Sequence, residues 1–325
     1  PCFFVVEVPT IEATIGNEVY HFSKDPGLKE IEFKKSMEKN NKSFKSKISD
    51  DEIVAISVWT TPKRTKTYPF PRVYSTLGHN GKKITIIPVQ ASYGKYGDDN
   101  KLQPGTLSWM TGLGVYVIIG VFTKATMRAK GKAAANAKEG KISTQGKPVF
   151  TNFEFDNNEL EDQVKEIVSK CPKVEDWNQE QLLKIPALLE LAIENNRQLG
   201  KALGVPVRSF KSLEKDLEKW KTDIDTFLSD CDEESKGAQH REFSSEQKLE
   251  NVPGKKGKIN VDSGNSKMIF LTGDSVSVDK DKKIIEILEG KHSTKSKFPG
   301  EHDVLDALFK LMIFKKSEIK IDGEK

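Results

Sequence analysis

Cysteine is scarce in this chain. Its 325 residues hold three, Cys2, Cys171 and Cys231. They stand far apart, with no CxxC and no paired histidines, which excludes a disulfide scaffold and a structural zinc site. An odd, sparse set reads as reduced thiols in a cytoplasmic protein. Long apolar runs are also missing. The nearest approach, Leu107–Thr123, is interrupted by Gly112 and Gly114 and is shorter than the ~20 residues a spanning helix needs. It reads instead as a buried turn of helix followed by a strand, Val115–Phe122, so no membrane partner is expected. Charge of one sign is lacking too: 52 Lys plus Arg oppose 48 Asp plus Glu, a formal net charge of +4. Such a balance neither demands nor excludes a polyanion, and distribution matters more than the sum. No secretory leader pattern is visible, and the chain begins at Pro1, as part of a longer polypeptide would.

Enough apolar material is present for a core, with 17 Phe, 4 Trp and 6 Tyr. The length suggests two domains or one elaborated domain. Residues 1–155 mix short strands and turns: Phe3–Val8, Ile53–Trp59 and Lys82–Val89 are rich in β-branched and aromatic residues. Lys63–Arg72 is basic, aromatic and Pro-punctuated, and is expected to be a loop. Residues 124–147 carry seven basic residues against Glu139 alone and read as an exposed, mobile basic segment. Residues 156–235 are expected to be helical. There Leu213, Leu217, Trp220, Ile224, Phe227 and Leu228 recur at steps of three and four, one helical face. Leu182–Leu203 suggests another helix, with Pro186 starting or kinking it. This segment serves packing or dimerisation. Residues 236–325 change character again, to short strands, a helix over 299–314 and a last strand at 318–322.

The chemistry concentrates between Met268 and Phe314. Two apolar runs, Ser275–Val278 and Ile284–Leu288, flank a polar turn, the pattern of a β-hairpin. Pairing Val276 with Ile287 and Val278 with Ile285 puts the apolar side chains on one face, whereas a one-residue slip mixes the faces. That register sets Asp274 opposite Glu289 at the open end, with Cβ atoms roughly 5 Å apart. Lys291, two residues on, shares the face. Two carboxylates beside a lysine suit a hard divalent cation such as Mg²⁺ and a nucleophilic water. Asp279 is a poorer ligand candidate, since five residues of strand place it roughly 16 Å from Asp274.

Asp274 followed by Glu289-Gly290-Lys291 resembles the signature of the PD-(D/E)xK nuclease superfamily. The run Glu289-Gly-Lys-His-Ser, then a Pro and an amphipathic helix, more narrowly resembles type II restriction endonucleases. Gly273 stands where the motif's name has Pro. The resemblance covers about residues 236–325, the expected nuclease core. It implies an α/β (α+β) fold: a central mixed sheet of restriction-endonuclease-like type flanked by helices, with an additional N-terminal α+β region and a helical segment. It implies that Asp274 and Glu289 hold Mg²⁺ and that Lys291 acts on the attacking water. Glu242, in Gln239-His-Arg-Glu-Phe243, is the candidate for the acidic residue such enzymes often place on a preceding helix. His292, Lys295 and Lys297 after the motif, Lys255 and Lys256 before it, and Arg241 beside Glu242 are expected to hold duplex DNA by its phosphates.

The N-terminal stretch 63–74 interleaves Lys63, Arg64, Lys66 and Arg72 with Tyr68, Phe70 and Tyr74, which suits phosphate contact and stacking. The resemblance would make this region the reader of the DNA sequence. The resulting expectation is a Mg²⁺-dependent, site-specific DNA endonuclease. A symmetric homodimer matches a two-fold site, and a DNA methyltransferase of the same specificity would be its counterpart. The alternatives are a non-catalytic DNA-binding protein with a nuclease-like fold, and a repair or recombination nuclease.

Overall fold

The computed structural model describes residues 11–15, 18–22, 27–39, 42–59, 70–89, 99–127, 150–204, 207, 209–244, 255–262, 268–279, 281–282, 284–291 and 299–316. The expected strands at 3–8 and 318–322 lie outside them, as do His292, Lys295, Lys297 and residues 128–147 of the basic segment. After a hairpin of β1 (Ile11–Ile15) and β2 (Glu18–Phe22), the chain builds a five-stranded mixed sheet. Its order is β3 (Ser43–Ser49), β4 (Glu52–Val58), β5 (Lys83–Val89), β6 (Val115–Met127) and β7 (Phe150–Phe155). The central three are parallel and the two edge strands antiparallel. β6 continues five residues beyond the expected strand end at Phe122 and carries Lys124 with it.

Helices cover both faces, because side chains alternate across each strand. Tyr116 and Ile118 of β6 meet α1 (Phe33–Glu38) and α4 (Asn157–Lys170) through Phe33, Leu160, Val164 and Ile167. Val115, Val117 and Ile119 turn to the opposite face. That face is covered by α3 (Asp99–Gly112), α5 (Val174–Ala202), α6 (Lys211–Thr222), α7 (Ile224–Ser244) and α8 (Glu301–Lys316). The Leu107–Thr123 run is the expected helix end and strand, divided between α3 and β6. Among the described residues no helix is long and apolar enough to cross a membrane. Cys171 is exposed and Cys231 buried, and the two form no disulfide with each other.

Several local expectations need correction. Phe70–Arg72, the end of the expected loop, open a short helix, α2 (Phe70–Tyr74). Pro186 does not start its helix but lies inside it. α5 begins at Val174 and runs through it, since Leu182, Ile185, Leu189 and Ile193 bury one continuous stripe that outweighs the ~3 kcal/mol penalty of an interior proline. The single face read from Leu213 to Leu228 belongs to two helices. The break is Asp223, in extended conformation, whose carboxylate accepts from the Asp225 N–H and the Thr226 hydroxyl to cap α7.

β6 has a ladder partner on only one side for much of its length. β5 pairs with it from Val115 to Val121, whereas β7 joins the other side only from Phe122 onward. α5 fills the gap with side chains. Asn178 Oδ1 accepts from the Val117 N–H at 2.8 Å and Gln181 Oε1 from the Ile119 N–H at 3.2 Å. In return, Asn178 Nδ2 donates to the Val115 carbonyl and Trp177 Nε1 to the Val117 carbonyl.

The C-terminal strands form two short antiparallel ladders apart from the five-stranded sheet, which is built wholly from residues 43–155. β8 (Gly257–Asp262) pairs with β9 (Met268–Gly273), and β10 (Ser275–Asp279) with β11 (Ile284–Leu288). Asp274 is the bend between them. The second ladder folds over the first, with the Val276 N–H donating to the Lys255 carbonyl at 2.9 Å. Its side chain rests on the paired glycines Gly257 and Gly273. A Cβ on Gly257 would stand 2.4 Å from Val276 Cγ2, and one on Gly273 2.8 Å from the same atom. Close approach therefore explains the glycine at the motif position named for proline. Gln239 of α7 ties the first ladder down, donating to the Leu271 carbonyl at 2.6 Å and to Asn260 Oδ1 at 2.9 Å.

Candidate functional site

Hairpin register positions the site. Val276 faces Ile287 and Val278 faces Ile285, as the apolar pattern requires. The open end departs from simple pairing. The ladder stops at Ser275–Leu288, and the Asp274 N–H also bonds to the Leu288 carbonyl, at 3.1 Å. Asp274 and Ser275 thus both oppose Leu288, a bulge-like step that re-aims a side chain. Asp274 does not sit in the ladder opposite Glu289. Its carboxylate reaches across and accepts from the Gly290 N–H at 2.8 Å.

Glu289, just past β11, turns its carboxylate inward until only 4% of the side chain is exposed. Two ammonium groups meet it there. Lys310 Nζ lies 2.7 Å from Oε2, and Lys291 Nζ lies 3.3 Å from Oε1. Lys310 comes from α8 and is itself 8% exposed; its Nζ is also 3.7 Å from Glu242 Oε1 on α7. Lys291 further approaches Asp306 Oδ2 of α8 at 3.6 Å. Three elements separated in sequence therefore close one network of three carboxylates and two lysines, with the Asp274 carboxylate beside it on the Gly290 N–H.

Burial pushes the Glu289 carboxyl above its ordinary range. Lys310 and Lys291 pull it back and the Asp274 charge adds to the rise. For Lys291, burial lowers the pKa, but Glu289, Asp306 and Asp274 together outweigh it, so the net shift is upward. Lys291 remains a cation at neutral pH. It is a donor to negative oxygen rather than a base.

The sequence-derived site residues divide accordingly. Asp274, Glu289, Lys291 and Glu242 come together, with Glu242 joined to the rest through Lys310. Arg241 is paired with Glu234 at 2.8 Å one face away on α7. Lys256 donates to the Glu242 carbonyl at 3.1 Å, and Lys255 contributes its carbonyl to the hairpin stacking. Asp279 sits at the turn, ion-paired with Lys282 at 3.1 Å. Lys310 and Asp306 were not foreseen. Their signal was faint: a single lysine in the apolar run Leu308–Phe314, and an acid one helical turn before it.

Among the described residues no group of three or more Asp, Glu, His or Cys is arranged to hold a metal. The donor set still fits Mg²⁺ in kind, because Mg²⁺ uses one or two carboxylates and keeps several waters. Asp274 and Glu289 would hold it, and Glu289 Oε2 would have to leave Lys310 to do so. Compared with protein-family models, curated proteins and solved structures, the chain matches none.

Proposed function

We propose that this chain is a Mg²⁺-dependent DNA endonuclease of restriction type, hydrolysing phosphodiesters of duplex DNA. What carries the reading is the meeting of Asp274, Glu289 and Lys291 at the bulged end of one hairpin, the arrangement the PD-(D/E)xK resemblance calls for. Mg²⁺ held by Asp274 and Glu289 would supply a Lewis acid that makes water nucleophilic near neutral pH. Lys291, a cation fixed between Glu289 and Asp306, donates to the oxygen on which negative charge grows. Glu242 and Lys310 set the position of Glu289 from the helix side. A homodimer would present two such sites to the strands of a palindrome, with a methyltransferase protecting the same sequence.

The test is digestion of a long phage duplex with Mg²⁺, with Ca²⁺ and with chelator. Discrete fragments are expected with Mg²⁺ alone, and binding without cutting in Ca²⁺. Glu289→Ala and Lys291→Ala should leave the duplex intact while still shifting it in a gel. Cutting in excess chelator, or normal cutting by Glu289→Ala, overturns the reading.

One observation favours a second reading. Both Glu289 oxygens are already engaged by lysines, as in a structural ion-pair network. A non-catalytic DNA-binding protein would retain such a network, shift DNA in the gel and cut it under none of the three conditions.

A further inference from the structure

β4 and β5 run parallel; β4 ends at Val58 opposite Ile86, with the Trp59 N–H donating to the Ile86 carbonyl, while β5 continues to Val89. In open α/β sheets the region beyond the carboxyl ends of parallel strands is where ligands bind. Arg72 of α2 reaches this edge. Its Nη1 donates to the carbonyl of Val58, the last residue of β4. Its guanidinium carbon lies 4.0 Å from the centre of the Trp59 ring. Its own carbonyl accepts from the Ser43 hydroxyl at 3.1 Å. The backbone of Arg72 is thus held by Ser43 and its guanidinium by Val58 and Trp59, yet among the described residues its buried Nε has no acceptor.

Nothing acidic among the described residues offsets this charge. Burial alone acts on the group and lowers its pKa to about 10, so it remains a cation at neutral pH. The surrounding sequence is equally one-sided. From Ile53 to Gly97 the chain contains no Asp or Glu, while Lys63, Arg64, Lys66, Arg72, Lys82, Lys83 and Lys95 fall inside that stretch. Lys82 is neutralised by Glu52 at 2.6 Å. A guanidinium that is charged, stacked, positioned and uncompensated is prepared for an oxyanion, whose geometry its planar fork matches. Position supplies the rest: α2 packs against α8, the helix that carries Lys310 and Asp306.

We propose that Arg72, stacked on Trp59 at the carboxyl end of β4, binds a backbone phosphate of the same duplex whose scissile bond lies at Asp274, Glu289 and Lys291. The identity of the polyanion rests on the nuclease reading, whereas the oxyanion site rests on the surroundings of Arg72. The contact reads no base. It sets the register of the duplex relative to the cutting site.

The experiment uses the full chain, with Arg72→Gln and with Arg72→Lys, which keeps the charge but loses the fork. Thermal melting is followed with and without inorganic phosphate, and affinity for a short duplex is measured across a salt series in Ca²⁺. Phosphate should raise the melting point of wild type and leave Arg72→Gln unmoved. In phosphate-free buffer Arg72→Gln should melt no lower than wild type, because it loses an uncompensated buried charge. A lower melting point in Arg72→Gln together with an unchanged response to phosphate marks a purely structural brace and overturns the proposal. Arg72→Gln should flatten the salt slope by about one unit and weaken cognate and random duplex alike. If Arg72→Gln does not fold, Arg72→Lys carries the decision: melting like wild type with weaker phosphate binding supports the proposal, and equal binding overturns it. A wild type that cuts DNA, with an Arg72→Gln slope equal to its own, overturns this proposal alone. A wild type that binds inorganic phosphate through Arg72 but no duplex overturns it together with the nuclease reading.

Discussion

Replacing Lys310 by Met removes one buried charge and keeps most of its volume. In chelator, the immediate consequence falls on Glu289. Its Oε2 loses an ammonium at 2.7 Å, and the side chain, 4% exposed, has little access to water. Removing one partner of a buried pair destabilises by about 3–5 kcal/mol. Lys291 remains at 3.3 Å from the other oxygen, so the lower end, about 3 kcal/mol, is expected. For a chain of this length that is a fall in melting temperature of about 6 °C, at about 2 °C per kcal/mol. The effect must depend on pH in a definite sense. Burial already raises the Glu289 pKa above 4.5, and Lys310 is the largest influence opposing that rise. Without it the folded-state pKa climbs further. A carboxyl whose folded pKa lies above its unfolded value contributes stability that is full below the unfolded value and is lost as pH rises through the folded one. The Lys310→Met deficit should therefore be large at about pH 8 and shrink toward about pH 5 as Glu289 takes up a proton. Adding Glu289→Gln should recover most of the loss at the higher pH. An equal deficit at both pH values, or no recovery in the double variant, refutes the assignment of Lys310 as the counter-charge of Glu289.

Metal should report on the same group: Mg²⁺ is expected to raise the melting temperature of Lys310→Met more than that of wild type, because no ammonium then competes for Glu289 Oε2. Gly257→Ala drives a Cβ to 2.4 Å from Val276 Cγ2 and 2.6 Å from its Cβ and should destabilise by ~1–3 kcal/mol; chemical denaturation measures it, and a change within error would remove the close stacking of Val276 on the glycine pair. Gln239→Leu strips the Leu271 carbonyl and Asn260 of a buried donor and should destabilise by ~1–3 kcal/mol; a change within error would remove Gln239 from the support of the β8–β9 ladder. Asp279→Ala, at the far turn, should cut DNA at nearly the wild-type rate, whereas Asp274→Asn should not; the reverse pattern in a cleavage assay would misplace the first carboxylate.

The hairpin was legible because one residue of slip changes which face every side chain occupies, so alternation in Val276, Val278, Ile285 and Ile287 fixes the register locally. The bulge at Asp274 was not, since it arises from a backbone hydrogen bond to Leu288 and from Val276 settling on two glycines. The location of the mixed sheet was only half legible. β4 and β5 are strongly β-branched, but β3 reads Ser-Phe-Lys-Ser-Lys-Ile-Ser, weak by composition and held by its neighbour. Asn178 and Gln181 extend the stripe of Leu182, Ile185 and Leu189 by one turn, but as polar side chains they give no sign in the sequence of what they bond; their partners are open backbone groups on a strand some sixty residues earlier. Lys310 escaped notice for the same reason, because its partners Glu289 and Glu242 lie on other elements. Asp223 divides two helices without disturbing the apolar period, so periodicity alone joins them.

The side-chain closure of β6 by α5 also turns two amides into reporters. The N–H groups of Val117 and Ile119 have no strand on their outer side and depend on Asn178 and Gln181 for protection. In hydrogen exchange, they should open when α5 lifts from the sheet, whereas strand amides bonded to β5 should await a larger unfolding event. If undocking of α5 is a separate sub-global event, these two positions will exchange together, at one common free energy. Asn178→Ala would then speed both without touching either strand's ladder.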